Sequence, residues 1–381
     1  MNSPAPDSPP AAAPSAPPAP APAPGKTSWL TADNVFLAVL AVFFPLAVAS
    51  HFFFPGTQTF VLCCIALIPL ARLMGAATEV IAHKLGAALG GLMNASFGNA
   101  AELIIALAAL REGQTEVVKA SITGAILGNL LLVLGMAVLA GGIGREKQTF
   151  NATAALSGSS MMFLAVTAMA IPDLFHITRG EAAVPVLPAM SVAVAIVLLI
   201  VYAASLVFSL RTHAHLYQGE AEAEDELPSW SIRKAGIVLL LATVGVAIVA
   251  EFLVHALEPA IESFGFTHTF IGVVVIAIIG NAAEHSTAVM VALKNKMDLA
   301  FNIAFESSKQ IALFVAPVLV LASIAFGHRL TLEFSHMEVV GMAVGTGAAT
   351  LIGLDGESNW LEGVMLLAVY AILSVAFFFI P

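Results

Sequence analysis

From residue 35 onward the chain is a succession of apolar blocks of about twenty residues, the length an α-helix needs to cross a hydrocarbon core. A transmembrane β-barrel would show alternating segments of roughly ten residues instead, and the pattern has none. The predicted spans are 35–54, 57–74, 88–110, 117–139, 152–171, 183–210, 235–255, 269–293, 299–325, 337–353 and 360–380, eleven in all. They make the expected fold an all-α polytopic membrane protein. The expected divisions are a Pro/Ala-rich disordered tail (1–34), one extra N-terminal span (35–56), five spans (57–211), an acidic linker (212–232) and five more spans (233–381).

Composition agrees. Hydrophobic residues are 59% of the chain, charged residues 10%, and mean hydropathy is +0.94, which excludes a water-soluble globular domain. The net charge of −10 argues against nucleic acid, and five of the acids sit together in Gly219–Pro228, a solvated linker or a cytoplasmic cation attractor. Residues 1–25 hold ten of the twenty prolines and lack the charged start of a signal peptide, which predicts a disordered or polyproline II tail. Cys63 and Cys64, adjacent in one span, read as small buried hydrophobes. With the N-terminus cytoplasmic, ten loop lysines and arginines fall on the cytoplasmic side and four (Arg111, Lys119, Arg179, Arg329) on the other, so the C-terminus is expected outside.

The sequence Gly-Asn-Ala-Ala-Glu occurs twice, at Gly98–Glu102 and Gly280–Glu284, an offset of 182 residues that also relates Gly135 to Pro317. Five predicted spans per repeat, an odd number, give the halves opposite topology, with an ion site expected at the midplane where they meet. Acid stranded in a span costs several kcal/mol and points to function. Asn99 and Glu102 share a helix face, as do Asn281 and Glu284, while Gly98 and Gly280 allow the helix to open and expose carbonyls. Carboxylate, amide and carbonyl oxygens form a hard-cation set suited to calcium. Two carboxylates balance one divalent ion or two protons, whereas the empty, doubly ionised site is costly. If only the loaded and protonated forms change conformation, the protein exchanges ions. His285, with Leu103 at its counterpart, shuttles protons or simply faces a neighbouring helix. There is no HExxH and no Gly-rich nucleotide loop, so no enzyme is expected and no resident cofactor.

The block GAATEVIAHKLGAALGGLMNASFGNAAELIIALAALREG with VVKASITGAILGNLLLVLG closely resembles the first repeat of calcium/proton exchangers of the cation/proton exchanger family. GNAAEHSTAVMVALKNKMDLA with QIALFVAPVLVL resembles the second repeat, and DGESNWLEG (Asp355–Gly363) is also typical of that family. The resemblance implies one extra span, two inverted five-span repeats and coordination centred on Glu102 and Glu284. It supports Asn99 and Asn281 as ligands or ligand-positioning residues, and puts Glu79 at the inner mouth, for cation admission or gating.

Where that family commonly has GSSTQ, this chain has Glu306, Ser307, Ser308, Lys309 and Gln310. Glu306 and Lys309 form an intramembrane ion pair or touch the transported ion directly, and Lys309 near the site would repel metal. Ser307, Ser308 and Gln310 offer further oxygens. The expected activity is export of cytoplasmic Ca2+, or a similar divalent cation, in exchange for protons across a bacterial inner membrane. The alternatives are sodium coupling and a passive cation channel.

Overall fold

The computed structural model describes residues 27–54, 56–213 and 228–380. The tail over 1–26 and the acidic run Glu220–Glu226 lie outside the described residues. In chain order the helices are α1 (Thr27–Phe53), α2 (Thr57–Phe97), α3 (Ala100–Arg111), α4 (Thr115–Leu127), α5 (Leu134–Gly142), α6 (Ala152–Arg179), α7 (Leu187–Val207), α8 (Ile232–His255), α9 (Leu257–Phe264), α10 (His268–Phe270), α11 (Ala277–Gly280), α12 (Ala282–Leu293), α13 (Met297–Gln310), α14 (Ala316–Phe326), α15 (His336–Gly353) and α16 (Trp360–Phe379). Short π-helical turns join α4 to α5 (Gly128–Val133), α10 to α11 (Ile271–Ile276) and α13 to α14 (Ile311–Val315).

Eight helices among the described residues are long and apolar enough to cross a membrane, or nine if Leu257–Phe264 and His268–Gly280, bent by 112°, form one broken span. Differences from the predicted spans have local causes. The second predicted span continues well past residue 74, because α2 runs 41 residues through it and into the third, with a kink at Gly86, whose φ of 78° suits glycine. The third span is broken before α3 and the eighth before α12, while α15 is rich in glycine and threonine.

Lipid tails supply no hydrophobic drive between helices, so association rests on close packing at small residues. A Cβ at Gly124 of α4 would sit 2.2 Å from the Val273 carbonyl oxygen, and one at Gly363 of α16 2.3 Å from the Leu139 nitrogen. Those two glycines let α4 meet the Ile271–Ile276 turn and α16 meet α5 at backbone distance. α2 lies along α8, and α6 along α15.

At the end of the bundle carrying the α5–α6 loop, Gln148–Thr149 pairs antiparallel with Glu357–Ser358 in a two-residue ribbon. Lys147 binds Glu357, whose hydrogen bond and charge hold the ammonium above its ordinary pKa. Gly356 turns the chain at φ 74°, and Asn359 then caps α16, accepting from the Leu361 and Glu362 nitrogens while Glu362 accepts from the Asn359 nitrogen. The DGESNWLEG segment is thus a turn and a capping box. This end and the opposite one, which carries Arg111 and Arg179, are called the ribbon end and the far end below.

Candidate cation site

Both Gly-Asn-Ala-Ala-Glu motifs are helix breaks. The backbone leaves helical geometry at the asparagines, with φ −106° and ψ 31° at Asn99 and φ −88° and ψ 9° at Asn281. Gly98 itself stays helical, so the bend lies one residue after the expected position. Each asparagine precedes a new helix with its glutamate in the first turn, where the helix dipole favours negative charge. Each motif glycine lies next to a polar side chain from the other half, and Gly280 also lines the cavity beside Glu102. A Cβ at Gly280 would lie 3.4 Å from Glu102 Oε1, and one at Gly98 would lie 3.2 Å from Gln310 Oε1.

Around these breaks runs a buried chain of hydrogen bonds. Asn129 Nδ2 donates to Ser307 Oγ at 2.8 Å, Ser307 Oγ donates to Asn99 Oδ1 at 2.8 Å, and Asn99 Nδ2 donates to Gln310 Oε1 at 2.7 Å. Ser307, Asn129 and Glu102 all lie near enough to the Glu284 carboxylate to interact with it electrostatically. The two motifs therefore converge on one electrostatic unit, but not symmetrically. Both ends of the Asn99 amide are engaged across the halves, whereas Asn281 only donates to the Ala277 carbonyl at 3.1 Å.

Among the described residues, the enclosed oxygens without a hydrogen-bond partner include Asn281 Oδ1, Glu284 Oε2 and Asn129 Oδ1. Buried acceptors left unpaired are costly, and a hard cation satisfies oxygens of this kind. Glu102 borders a cavity of about 20 Å³ walled by Ser121, Ile122 and Ala125 of α4 and by Ile276, Ile311 and Val315, room for one water-sized body. The π turns at Gly128–Val133 and Ile311–Val315 begin beside Asn129 and directly after Gln310, a setting in which π-helical turns recur at functional sites.

The remaining predicted residues fall differently. His285 is half-buried, its Nε2 enclosed and unpaired. Ser308 donates to Ala304 of its own helix, outside the hydrogen-bonded chain. Glu306 and Lys309 form an ion pair within α13, with the Lys309 side chain 3% and the Glu306 side chain 35% exposed. Glu79 is exposed on α2, ahead of the Gly86 kink. Asn129 was missed by sequence reasoning. Its signal is a lone amide inside the apolar run Ala125–Leu134, at a position that the 182-residue offset pairs with Ile311.

The family described as sodium/calcium exchanger protein matches residues 55–211 and 234–379. A Ca(2+)/H(+) antiporter of Synechocystis is 48% identical over 369 residues, covering 92% of this chain and 99% of its own. The Ca(2+)/H(+) antiporter ChaA of Bacillus subtilis is 44% identical over 351 residues, covering 91% and 99%. Among solved structures, native YfkE superimposes with a TM-score of 0.79 at 40% identity, over 91% of this chain and 100% of that one.

Proposed function

Because this chain belongs to the sodium/calcium exchanger protein family, we propose that it is a multi-pass Ca2+/H+ antiporter that exports cytoplasmic Ca2+ in exchange for protons. The observation that carries the reading is the convergence of Glu102 and Glu284, with unpaired buried oxygens on Glu284 itself, Asn281 and Asn129. Relatives at 44% and 48% identity named Ca(2+)/H(+) antiporters support the choice of ions.

In this mechanism Glu284, Asn281 and Asn129 hold the cation, with Ser307 and Asn99 fixing the amide orientations. Glu102, against Gly280 and its small cavity, completes the charge balance. Ca2+ leaves as the two carboxylates take up protons, and only the metal-loaded or protonated protein switches sides, since a doubly ionised empty site is costly in a low-dielectric interior. His285 relays protons, and Glu79 admits cations at the cytoplasmic mouth. The Glu306–Lys309 pair neutralises itself, which keeps the ammonium from repelling the cation.

The finer architecture belongs to the same proposal: eleven spans, one extra helix and two inverted five-helix repeats over 57–211 and 233–381, with the acidic linker 212–232 on the cytoplasmic side. The paired helix breaks at Asn99 and Asn281, and the π turns following Leu127 and Gln310, support the repeat. The N-terminus is cytoplasmic, the C-terminus is on the opposite side, and the membrane is a bacterial inner membrane.

The test is tracer Ca2+ flux in sealed proteoliposomes under an imposed pH gradient. The reading expects uptake that follows the proton gradient and is lost when Glu102→Gln and Glu284→Gln are combined. Uptake driven by sodium alone would favour the sodium-coupled alternative, and uptake indifferent to both gradients a channel.

A further inference from the structure

At the far end, residues 327–335 run between α14 and α15 without helix or strand, and their side chains alternate. Leu330, Leu332 and Phe334 are buried at 3%, 0% and 2% exposure, while Thr331 and Glu333 between them reach partly outward. This is the period of an extended chain pressed onto an apolar surface.

The segment crosses several helices of the first half, and a pin fixes it at each crossing. The His328 ring lies against Gly113 in the α3–α4 turn, where a Cβ would come within 3.2 Å. The Leu332 nitrogen donates to Ser191 Oγ of α7 at 2.9 Å, and Glu333 pairs with His176 of α6. His336 Nδ1 stands 3.2 Å from Asp173 Oδ1, and Thr123 of α4 donates to Glu338 at 3.3 Å. Lys119, one turn before Thr123, faces Glu333, Glu338 and Glu116, and His176 also feels Glu181 and Asp173. The same stretch of α4 supplies Ser121, Ile122 and Ala125 to the wall of the Glu102 cavity.

We infer that residues 327–338 are a strap that closes the far-side approach to Glu102 and must lift, or slide off α4 and α6, before that side opens. This rests on the exchanger reading above. The His176–Glu333 pin suits a part that releases, because its side chains are 33% and 25% exposed and a pair open to solvent shifts an equilibrium by only about 1.4- to 5-fold. The apolar side chains under the pins seal the approach while the strap is down.

The experiment places His176→Cys and Glu333→Cys together in a Cys63→Ala, Cys64→Ala protein, reconstituted and bridged with a short bis-methanethiosulfonate reagent. Bridging is expected to cut gradient-driven Ca2+ flux at least about tenfold, reductant to restore it, and a monofunctional reagent of the same size to leave it unchanged. Full flux after complete bridging overturns the strap. Equal inhibition by the monofunctional reagent also does, and failure to bridge contradicts the juxtaposition itself. Absence of proton-driven flux in the unbridged, cysteine-free parent would instead count against the exchanger reading.

Discussion

The pair at Glu306 and Lys309 offers the sharpest energetic test, because its partners are unequally buried: the ammonium is 3% exposed and the carboxylate 35%. Glu306→Gln strands a buried cation, which costs about 3–5 kcal/mol when one member of a buried pair is removed. Lys309→Met removes the buried charge and leaves Glu306, the more exposed partner, so it costs less than Glu306→Gln. The double variant replaces both charges with groups of similar shape and returns to within about 1 kcal/mol of the parent, a coupling energy of at least about 2 kcal/mol. The assay is thermal unfolding of the purified protein in detergent, with the four proteins measured side by side, and Ca2+ flux as a second readout. Equal destabilisation by the two single variants, or a double variant worse than Glu306→Gln, would refute the assignment of a self-neutralising pair.

Ser307→Ala orphans Asn99 Oδ1 and the Asn129 Nδ2 group together, and at about 1–3 kcal/mol for each buried unpaired group should both lower the melting temperature and weaken Ca2+ dependence of flux, with Ser307→Thr restoring most of each. Gly124→Ala drives a Cβ to 2.2 Å from the Val273 carbonyl, a clash with backbone that side-chain repacking cannot relieve, so the yield of folded protein on size-exclusion chromatography should collapse. Gly75→Ala, with nothing within 4 Å, should be tolerated in the same measurement. Asn359→Ala removes a helix cap worth about 0.5–2 kcal/mol and should lower the melting temperature while leaving the apparent Ca2+ affinity unchanged.

Much of the site was readable before any coordinates, because duplication ties Glu102 to Glu284 and membrane energetics make both conspicuous. Hydropathy could not reveal the divergence between the two asparagines. Asn99 is engaged by Ser307 and Gln310 more than two hundred residues away, whereas Asn281 turns to its own helix, and nothing local distinguishes them. Asn129 has no polar counterpart in the second half, where the 182-residue offset falls on Ile311, so the duplication does not mark it. Gly280 lines the small cavity beside Glu102, and Gly98 lies next to Gln310. The second expected span ends at residue 74, whereas α2 runs on through Glu79, His83 and Lys84 to the kink at Gly86 and beyond it. A kink is a backbone event, and a sliding average of hydrophobicity carries no record of it.

The claim on which the rest depends is that the Glu102–Glu284 unit exchanges metal for protons on shared oxygens. Its most direct measurement is proton release on adding Ca2+ to the purified protein in weakly buffered detergent solution, followed by a pH dye and matched to Ca2+ binding by calorimetry. Saturable proton release that tracks Ca2+ occupancy and vanishes in the Glu102→Gln, Glu284→Gln double variant is the predicted result. Ca2+ binding of full amplitude with no proton release would contradict it.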